Sequence, residues 1–341
     1  MTEGWMEQIG SIQPSQRSSL LRKRAMLKYT AGRLAIAVPT FIIVLLITFT
    51  LTTISPFDPI AMMLMQYEGL LDNLNREEVV QRLRDQYGLN DTFWVQFTNW
   101  LGRLSQGDLG MSIVGQRDIG RTIIKTFPIS LQMGLAGAFV TALVGIPLGC
   151  IAALRQNSWL DYTIVGGTLV FRTLPVFVLA PLLLVLFVLV LGIMKVPRGW
   201  DGLFQTKTIL PIFILSLGPL PVVVRQTRAA VLEVFAMDYV RTAKMKGLEM
   251  WRIILRHILR NALIPVVTTL GFITEGLIVG SIFLDSIFAI PGFGGVAEAG
   301  FRGFDYPVIM GVTMVSAVMI ILTNLLVDLI YPLLDPRIKL K

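Results

Sequence analysis

Residues 34–54, LAIAVPTFIIVLLITFTLTTI, decide the fold class of this 341-residue chain. The segment has no charged side chain and matches the roughly 20 apolar residues that a helix needs to cross a bilayer. Charged residues make up only 15% of the sequence, whereas a typical soluble domain has about 25%. The sequence therefore predicts an integral membrane protein rather than a soluble protein with a large core.

Five further apolar runs follow the first one. Two of them contain a single ionisable residue, Arg172 in one and Glu275 in the other. We therefore predict an all-α integral membrane protein with six transmembrane helices. The later spans are expected within residues 125–155, 162–195, 208–224, 263–285 and 306–327.

Lysine and arginine are distributed unevenly among the predicted loops. Eighteen lie in the two terminal segments, the loop at Arg155 and the loop at 225–262, whereas the two short loops on the other side hold four. The positive-inside rule therefore places both termini and the 225–262 loop in the cytoplasm. The rule loses force for the segment at 53–128, because it is longer than about 60 residues. This distribution accounts for the formal charge of +8 without a nucleic-acid partner.

The predicted spans divide the chain into five parts. The only cysteine, Cys150, lies in the second span, so an internal disulfide bond is excluded. The parts are a cytoplasmic tail at 1–33, transmembrane helix 1 at 34–54, an extracytoplasmic helical subdomain at 55–128, a five-helix core at 129–335 that includes the cytoplasmic loop 225–262, and a cytoplasmic C-terminus at 336–341.

Two helices are predicted within the 55–128 subdomain. The first has apolar residues at helical spacing, with Gly88 as its stop signal. Asn90 or Asp91 is positioned to cap the second, whose aromatic-rich face spans 93–104. We interpret this aromatic face as a packing surface rather than a ligand site. The apolar residues of the first helix are Val79, Val80, Leu83 and Tyr87.

The most basic stretch, DYVRTAKMKGLEMWRIILRHILRNALIP, occupies residues 238–265. Asp238 is predicted to cap a short helix, and Gly247 supplies the left-handed residue that ends it. A second, amphipathic helix is predicted to begin near Glu249. Cations in the last turn of the first helix complement its dipole. The first helix carries the apolar residues Tyr239, Val240 and Ala243 and the cations Arg241, Lys244 and Lys246.

Two interpretations of this helix pair are open from the pattern alone. A basic amphipathic pair can lie against anionic lipid headgroups. A short helix that ends at a glycine also presents a compact knob, which a groove on a cytoplasmic partner protein can grip. Lipid attraction needs a basic face but no particular turn, so the glycine favours a protein partner.

The 238–265 stretch resembles the cytoplasmic loop of ABC-importer membrane permease subunits in the dipeptide/oligopeptide/nickel branch. It keeps Ala243, Gly247 and Leu259 of the general importer pattern. It departs from that pattern at Arg241, Thr242, His257 and Arg260, in a way typical of this branch. Further matching segments are GDLGMSI (107–113), IPLGCIAALRQNSWLDY (146–162), FAIPGFG (288–294), DYPVIMGV (305–312) and NLLVDLIYPLLDPRIK (324–339).

The resemblance implies a transport subunit of the bacterial plasma (inner) membrane, not an enzyme, that forms half of a pathway for short peptides. Nickel or a nickel chelate is the alternative cargo. The implied partners are a second homologous permease, two cytoplasmic ATPase subunits that bind ATP and magnesium, and an extracytoplasmic solute-binding protein. No cofactor or metal is expected on this chain, which lacks the Gly-x4-Gly-Lys-Ser/Thr phosphate loop. The implied ATPase-coupling residues are Asp238, Tyr239, Val240, Arg241, Ala243, Lys244 and Gly247.

Arg172 and Glu275 are the candidate residues of the translocation pathway. Both are predicted near mid-bilayer, where an unpaired charge is costly, so we expect them to meet there. Their pair either lines the pathway or serves only as a structural ion pair. In a third alternative they do not meet, because the sequence does not fix the rotation of either helix and each can find another partner. Intramembrane charges also keep open a self-contained secondary transporter, and a structural membrane scaffold is a third class.

Overall fold

The computed structural model describes residues 14–65, 76–279 and 281–334, with side chains from Thr30 to Val327 apart from 66–76 and 280. Within these ranges the chain is helical, and its only β-type contact is a bridge between Met111 and Asp118. The all-α prediction is therefore confirmed for this part of the chain. Residues 1–13 of the predicted tail at 1–33, and the predicted C-terminus at 336–341, lie outside it, whereas residues 14–33 are helical and continuous with the first predicted span.

Fifteen α-helices are present in the described ranges, and two of them continue into a π-helical turn. The helices are α1 Pro14–Ile54, α2 Pro59–Met65, α3 Arg76–Gln86, α4 Phe93–Ser105, α5 Ile119–Leu154, α6 Trp159–Thr173, α7 Val176–Leu184, α8 Thr206–Leu217, α9 Leu220–Phe235, α10 Asp238–Met245, α11 Met250–Ile253, α12 Leu259–Val279, α13 Ile282–Ile287, α14 Phe293–Arg302 and α15 Tyr306–Leu334. The π-helical turns are Val185–Val190 after α7 and Ile254–Ile258 after α11.

Four helical segments in the described ranges are long and apolar enough to cross a membrane unbroken. They are Thr30–Ile54, Ile119–Leu154, Met250–Val279 and Tyr306–Val327. The other two predicted spans are each a bent pair of helices. Trp159–Thr173 and Val176–Val190 meet at 103°, and Thr206–Leu217 and Leu220–Phe235 meet at 53°. The structure thus has four to six candidate spans.

Both bends coincide with prolines. Pro175 is the N-cap of α7, and Pro219 is the N-cap of α9. Proline lacks the N–H that would continue the preceding helix, and its ring clashes with the carbonyl four residues earlier. Pro147 and Pro265, by contrast, lie inside continuous helices. A proline therefore permits a break in these helices but does not enforce one.

Helices α8, α9 and α12 all pack against α5. Glycines on α5 bring these helices close to its backbone. A Cβ atom added at Gly134 would lie 2.5 Å from Cγ1 of Ile278 in α12, and one at Gly145 would lie 2.8 Å from Cγ1 of Val223 in α9. Small residues at membrane-helix interfaces permit this close approach, which strengthens van der Waals packing.

The described parts of the segment between α1 and α5, residues 55–65 and 76–118, contain the short helices α2, α3 and α4, and the predicted boundary at 128 lies inside α5, which begins at Ile119. Apolar residues of α3, including Val79 and Leu83, pack against Ile60 and Leu64 of α2. Gly88 ends α3 with φ +66°. The predicted N-cap of α4 is wrong, because the cap position belongs to Thr92 rather than to Asn90 or Asp91. The Asn90 amide instead donates to the Asp85 carboxylate at 2.6 Å.

The aromatic face of α4 is a packing surface, as we interpreted it. Phe97 and Trp100 are buried against Leu45 and Phe49 of α1 and Met310 of α15. The rings of Phe49 and Phe97 meet edge to face, with centroids 5.2 Å apart. Such contacts fix α4 across the ends of two candidate spans.

Candidate coupling site

The predicted short helix is present as α10, but Asp238 is not its cap. Met237 has the extended backbone of an N-cap (φ −73°, ψ 145°), and Asp238 is already the first helical residue. The Asp238 side chain is 97% exposed, and its carboxylate lies 3.8 Å from the Arg241 guanidinium one turn later. Asp238 is therefore a solvated charge on the free face of α10, where it also complements the helix dipole.

The C-terminus of α10 follows the sequence prediction. Gly247 has φ +72°, a region that residues with a side chain rarely occupy. The Gly247 N–H donates to the Lys244 carbonyl at 3.0 Å, and the Leu248 N–H donates to the Ala243 carbonyl at 3.3 Å. These two bonds form a Schellman motif, which satisfies carbonyls that the helix end would leave unpaired.

One face of α10 is fixed to the rest of the protein. Val240 is fully buried and Ala243 nearly so. Both belong to a core cluster with Val234 of α9, Ile253 of α11 and Ile258 of the following π-turn. Because its inner face is packed in this way, a displacement of α10 alone would break its contacts with α9 and α11.

The opposite side of this helix pair exposes apolar side chains around the glycine turn. Met245 is 80% exposed and Trp251 is 57% exposed. We call this group of side chains the α10–α11 surface. Its members are Met237, Tyr239, Met245, Leu248, Met250 and Trp251. An exposed apolar patch of this kind is typical of a protein-interaction site, because methionine and tryptophan side chains gain most when a partner covers them.

Two polar contacts tie α10 to its neighbours. The Asn261 amide in α12 donates to the Tyr239 hydroxyl at 2.8 Å. The Lys244 ammonium lies 3.7 Å from the centroid of the Phe235 ring in α9, within the range of a cation–π interaction. The predicted coupling residues thus contact the helices on both sides of the loop.

The apolar register predicted for the second helix is partly wrong. The apolar face predicted from a period of 3.6 residues consists of Trp251, Ile254, Leu255, Ile258, Leu259, Ala262 and Leu263. Ile258 and Ala262 are buried as predicted, whereas Trp251 and Leu255 are exposed and Ile253 is buried instead. The π-turn at Ile254–Ile258 explains the difference, because it fits an extra residue into one turn and so rotates the face before it, with Ile253, relative to the face after it, with Ala262. A regular period of 3.6 residues cannot anticipate such an insertion.

A buried ion pair joins the helices that precede α10. Arg228 of α9 donates from Nε and Nη2 to the two carboxylate oxygens of Asp161 in α6, each at 2.7 Å. The Asp161 side chain is only 3% exposed, and it also accepts the N–H of Asn157 at 3.0 Å. A bidentate pair of this kind fixes orientation as well as distance.

The matching segments 107–113 and 305–312 meet through a buried carboxylate. Asp305 accepts a 2.5 Å hydrogen bond from the Ser112 hydroxyl. It also accepts the backbone N–H of Ile113 at 3.2 Å and that of Val114 at 3.0 Å. These bonds fix the loop before α5 to the residue that precedes α15.

A second buried carboxylate lies in the loop that contains the matching segment 288–294. Asp285 is 2% exposed, and one of its oxygens accepts from the Ser281 hydroxyl at 3.2 Å and from the Gly295 N–H at 3.3 Å. The other oxygen, Oδ1, has no hydrogen-bond partner among the described residues. Desolvation by burial is the main cause that raises the pKa of Asp285 to about 7. A Cβ atom at Gly292 would lie 2.3 Å from the carboxylate, so only glycine fits there.

The structure does not bring Arg172 and Glu275 together. Arg172 is an exposed residue in the last turn of α6, and Glu275 is a partly buried residue of α12. Neither has an oppositely charged partner within 4.0 Å among the described residues. The structure therefore does not show the expected contact between the two side chains, and their role in a pathway stays a prediction.

Sequence reasoning missed the three buried carboxylates that organise these loops. Asp161, Asp285 and Asp305 each lie in or beside a segment that had been singled out for its resemblance. An aspartate that directly follows or precedes an apolar run was the available signal, since a carboxylate in such a position needs a specific donor. The donors themselves, such as Arg228 and Ser112, lie on other elements and leave no local pattern.

The chain belongs to a family of membrane transport subunits. Its residues 145–340 match the family described as binding-protein-dependent transport system inner membrane component. The protein is thus a permease component of an ABC importer, a multi-pass protein of the bacterial inner membrane with several apolar helices.

Within that family the chain is most usefully compared with peptide permeases. It is 35% identical over 316 residues to the dipeptide transport system permease protein DppB of Bacillus subtilis (strain 168), which covers 92% of this chain and 99% of that protein. It is 34% identical over 315 residues to the oligopeptide transport system permease protein OppB of Escherichia coli (strain K12), which covers 92% of this chain and 100% of that protein.

Among solved structures, an inward-facing conformation of the MetNI methionine ABC transporter has a similar fold. One of its chains matches with a TM-score of 0.54 at 19% identity, and covers 62% of this chain and 96% of its own length. This likeness concerns the fold alone.

Proposed function

We propose that this chain is the transmembrane permease subunit of an ATP-driven importer of short peptides. It forms half of the translocation pathway together with a second homologous permease. Two cytoplasmic ATPase subunits bind ATP and magnesium, and an extracytoplasmic solute-binding protein delivers the cargo. The identity to dipeptide and oligopeptide permeases over 92% of the chain supports the choice of cargo.

The proposed topology has six spans with both termini in the cytoplasm. Each of the two bent helix pairs then counts as one span. The excess of lysine and arginine at the termini and at 225–262 supports this orientation. It places the subdomain of α2, α3 and α4 outside the cell membrane and the α10–α11 surface in the cytoplasm.

The observation that carries the proposal is the construction of α10. Its inner face, with Val240 and Ala243, is packed on the protein, and its outer end exposes apolar side chains around Gly247. An element that is rigidly held on one side and apolar on the other is suited to receive force from a partner. Closure of the ATPase subunits would move α10, and α9 and α12 would carry that movement to the candidate spans, which gives alternating access.

The first experiment tests the ATPase contact. The α10–α11 surface is altered by Met245→Glu together with Leu248→Glu, and the tagged complex is purified from membranes. We expect the amount of co-purified ATPase subunits to fall at least tenfold, while the second permease still co-purifies. Trp94→Glu is the matched control, because Trp94 is 65% exposed but lies on α4. Normal ATPase recovery with the altered surface would overturn the proposal.

The second experiment tests energy source and cargo in proteoliposomes that contain the assembled complex. Uptake of tri-alanine is expected to require ATP and the solute-binding protein, and an imposed ion gradient should not replace ATP. Uptake driven by an ion gradient alone would identify a secondary transporter. Transport of nickel or a nickel chelate, with no peptide uptake, would replace the proposed cargo by its alternative.

A further inference from the structure

A cleft of about 690 Å³ opens between the small helical subdomain and the ends of two candidate spans. The end of α1, the end of α3, helix α4, the loop before α5 and the start of α15 all line it. Its volume is within the roughly 300–1,000 Å³ of small-molecule sites. None of the predicted coupling or pathway residues lines this cleft.

The cleft contains charges of both signs. Asp85, Asp91, Asp108 and Asp118 supply carboxylates, and Arg103 supplies a guanidinium. Among the described residues, only Asp118 has a cation within 4.0 Å, namely Arg121, and Arg103 has no carboxylate within that distance. The cleft thus has unpaired carboxylates and an unpaired guanidinium that do not neutralise each other.

Hydrogen bonds hold two of these carboxylates in place. One oxygen of Asp85 accepts from the Asn90 amide at 2.6 Å, and one oxygen of Asp108 accepts from the Gly110 N–H at 2.8 Å. The remaining lining includes Met111, which is 49% exposed, and the edges of the mostly buried rings of Phe49 and Trp100. An apolar surface is therefore available beside charges of both signs.

From this arrangement we infer that the cleft binds a short peptide with free termini, outside the translocation pathway. The N-terminal ammonium has three donors for the carboxylates, and the C-terminal carboxylate suits the two-pronged guanidinium of Arg103. A side chain of the peptide packs on the apolar part of the lining, where Met111 is exposed. Because the three unpaired carboxylates of Asp85, Asp91 and Asp108 outnumber the one guanidinium, peptides with lysine bind more tightly than peptides with glutamate.

This inference rests on the proposed peptide cargo, and it gives the permease a binding site of its own on the side where the solute-binding protein delivers. Peptide released from that protein would be held near the membrane surface before it enters the spans. The site would then raise the local peptide concentration beside the pathway.

Photo-crosslinking tests the site without transport. The complex is placed in nanodiscs without solute-binding protein, and the probe is an Ala-X-Ala tripeptide in which X is p-benzoylphenylalanine. Mass spectrometry should map the crosslinks to residues 85–118 or to the ends of α1 and α15. Excess tri-alanine should compete at least fivefold better than the same peptide with an acetylated N-terminus and an amidated C-terminus. Crosslinks confined to other parts of the chain, or equal competition by the blocked peptide, would show the inference to be wrong.

Variants make the test specific. Arg103→Gln and Asp91→Asn should each lower the apparent affinity for tri-alanine at least fivefold. Arg82→Gln is the matched control, because Arg82 is an exposed arginine of the same subdomain that pairs with Glu78 outside the cleft. Co-purification of the second permease shows that each variant is folded, and unchanged affinity in both folded cleft variants would overturn the inference.

The two proposals can fail separately. Normal ATP-driven peptide uptake without crosslinks to the cleft would refute only the cleft site. Crosslinks to the cleft without peptide uptake by the complete importer would refute the proposed function and leave the site standing. If the solute-binding protein, but not tri-alanine, protects Asn99→Cys in a Cys150→Ala background from a thiol reagent, the cleft is a protein contact and the inference is wrong, because Asn99 lines the cleft and the charged residues remain in place.

Discussion

The side-chain amide of Asn261 donates a 2.8 Å hydrogen bond to the hydroxyl of Tyr239. Tyr239 lies in α10, and Asn261 lies in the first turn of α12, which belongs to a helical segment apolar enough to cross a membrane. The bond therefore connects α10 directly to a candidate span, in addition to the chain connection through the glycine turn and the π-turn.

We expect Tyr239→Phe to weaken the coupling of ATP hydrolysis to transport. A hydrogen bond of this kind contributes about 0.5–1.5 kcal/mol, so the ratio of peptide transported to ATP hydrolysed should fall about two- to tenfold. Co-purification of the ATPase should not change, since the aromatic ring remains. Tyr162→Phe, on α6, is the matched control. If the bond is responsible, the double variant Asn261→Ala and Tyr239→Phe will transport no less peptide per ATP than the more impaired single variant.

Gly247→Val should abolish ATPase binding and leave membrane insertion intact. The strain comes from the backbone, because a Cβ atom at Gly247 meets nothing within 4 Å while φ is +72°. Gly247→Asn should keep partial binding, since asparagine tolerates this region better than a β-branched residue. Gly102→Val is the control for side-chain volume alone, because its surroundings are equally open and its φ is ordinary. Full uptake by Gly247→Val would refute the role of the turn.

The buried carboxyl of Asp285 predicts a pH dependence of stability. Its pKa is raised from 3.8 to about 7, so between these values the folded protein binds a proton that the unfolded chain has released. The free energy of unfolding should therefore fall as pH rises from about 4 to 7, by at most about 1.4 kcal/mol per pH unit. Asp285→Asn should flatten this part of the Tm-against-pH curve of the purified protein. An unchanged slope between pH 5 and 7 would exclude Asp285 as its source.

Arg172→Leu and Glu275→Gly should act independently on transport. The two residues form no ion pair in this chain, so the losses of uptake in the single variants should multiply in the double variant. Recovery of complex assembly in the double variant would mean instead that the charges compensate each other in the assembled importer. Assembly is measured by co-purification of the second permease, and uptake is measured with tri-alanine.

The proposed topology predicts which positions an impermeant thiol reagent reaches in intact cells. In a Cys150→Ala background, Asn90→Cys should be labelled without lysis and Lys246→Cys only after permeabilisation. Both residues are exposed, so access rather than burial decides the result. The reverse pattern would invert the orientation of the chain in the membrane.

Apolar length and charge predicted which segments form the candidate spans, because the bilayer imposes a length that local composition reveals. The bends at Pro175 and Pro219 were not predictable in the same way. Pro147 and Pro265 carry the same local restriction, yet their helices continue. Packing against neighbouring helices decides between these outcomes, and it involves residues far away in sequence.

At the coupling site, too, local features were predictable from the sequence and contacts between distant residues were not. The end of α10 was predicted because a helical period followed by Gly247 is a local signal. The Asp161–Arg228 pair was not, since its partners are 67 residues apart. The burial of Ile253 was also missed, because a π-turn of one extra residue has no counterpart in a regular period.

The Asp161–Arg228 pair has a mechanical consequence. A guanidinium that grips both oxygens of a carboxylate resists rolling of one helix about the other as well as separation. In the proposed coupling, movement that enters α9 from α10 would therefore be passed to the first turn of α6. Helix α6 is 15 residues long, so it acts as a stiff rod of about 22 Å. The other end of α6 is followed by the 103° bend at Pro175. A small rotation of α6 about its own axis would therefore displace α7, the helix that follows the bend.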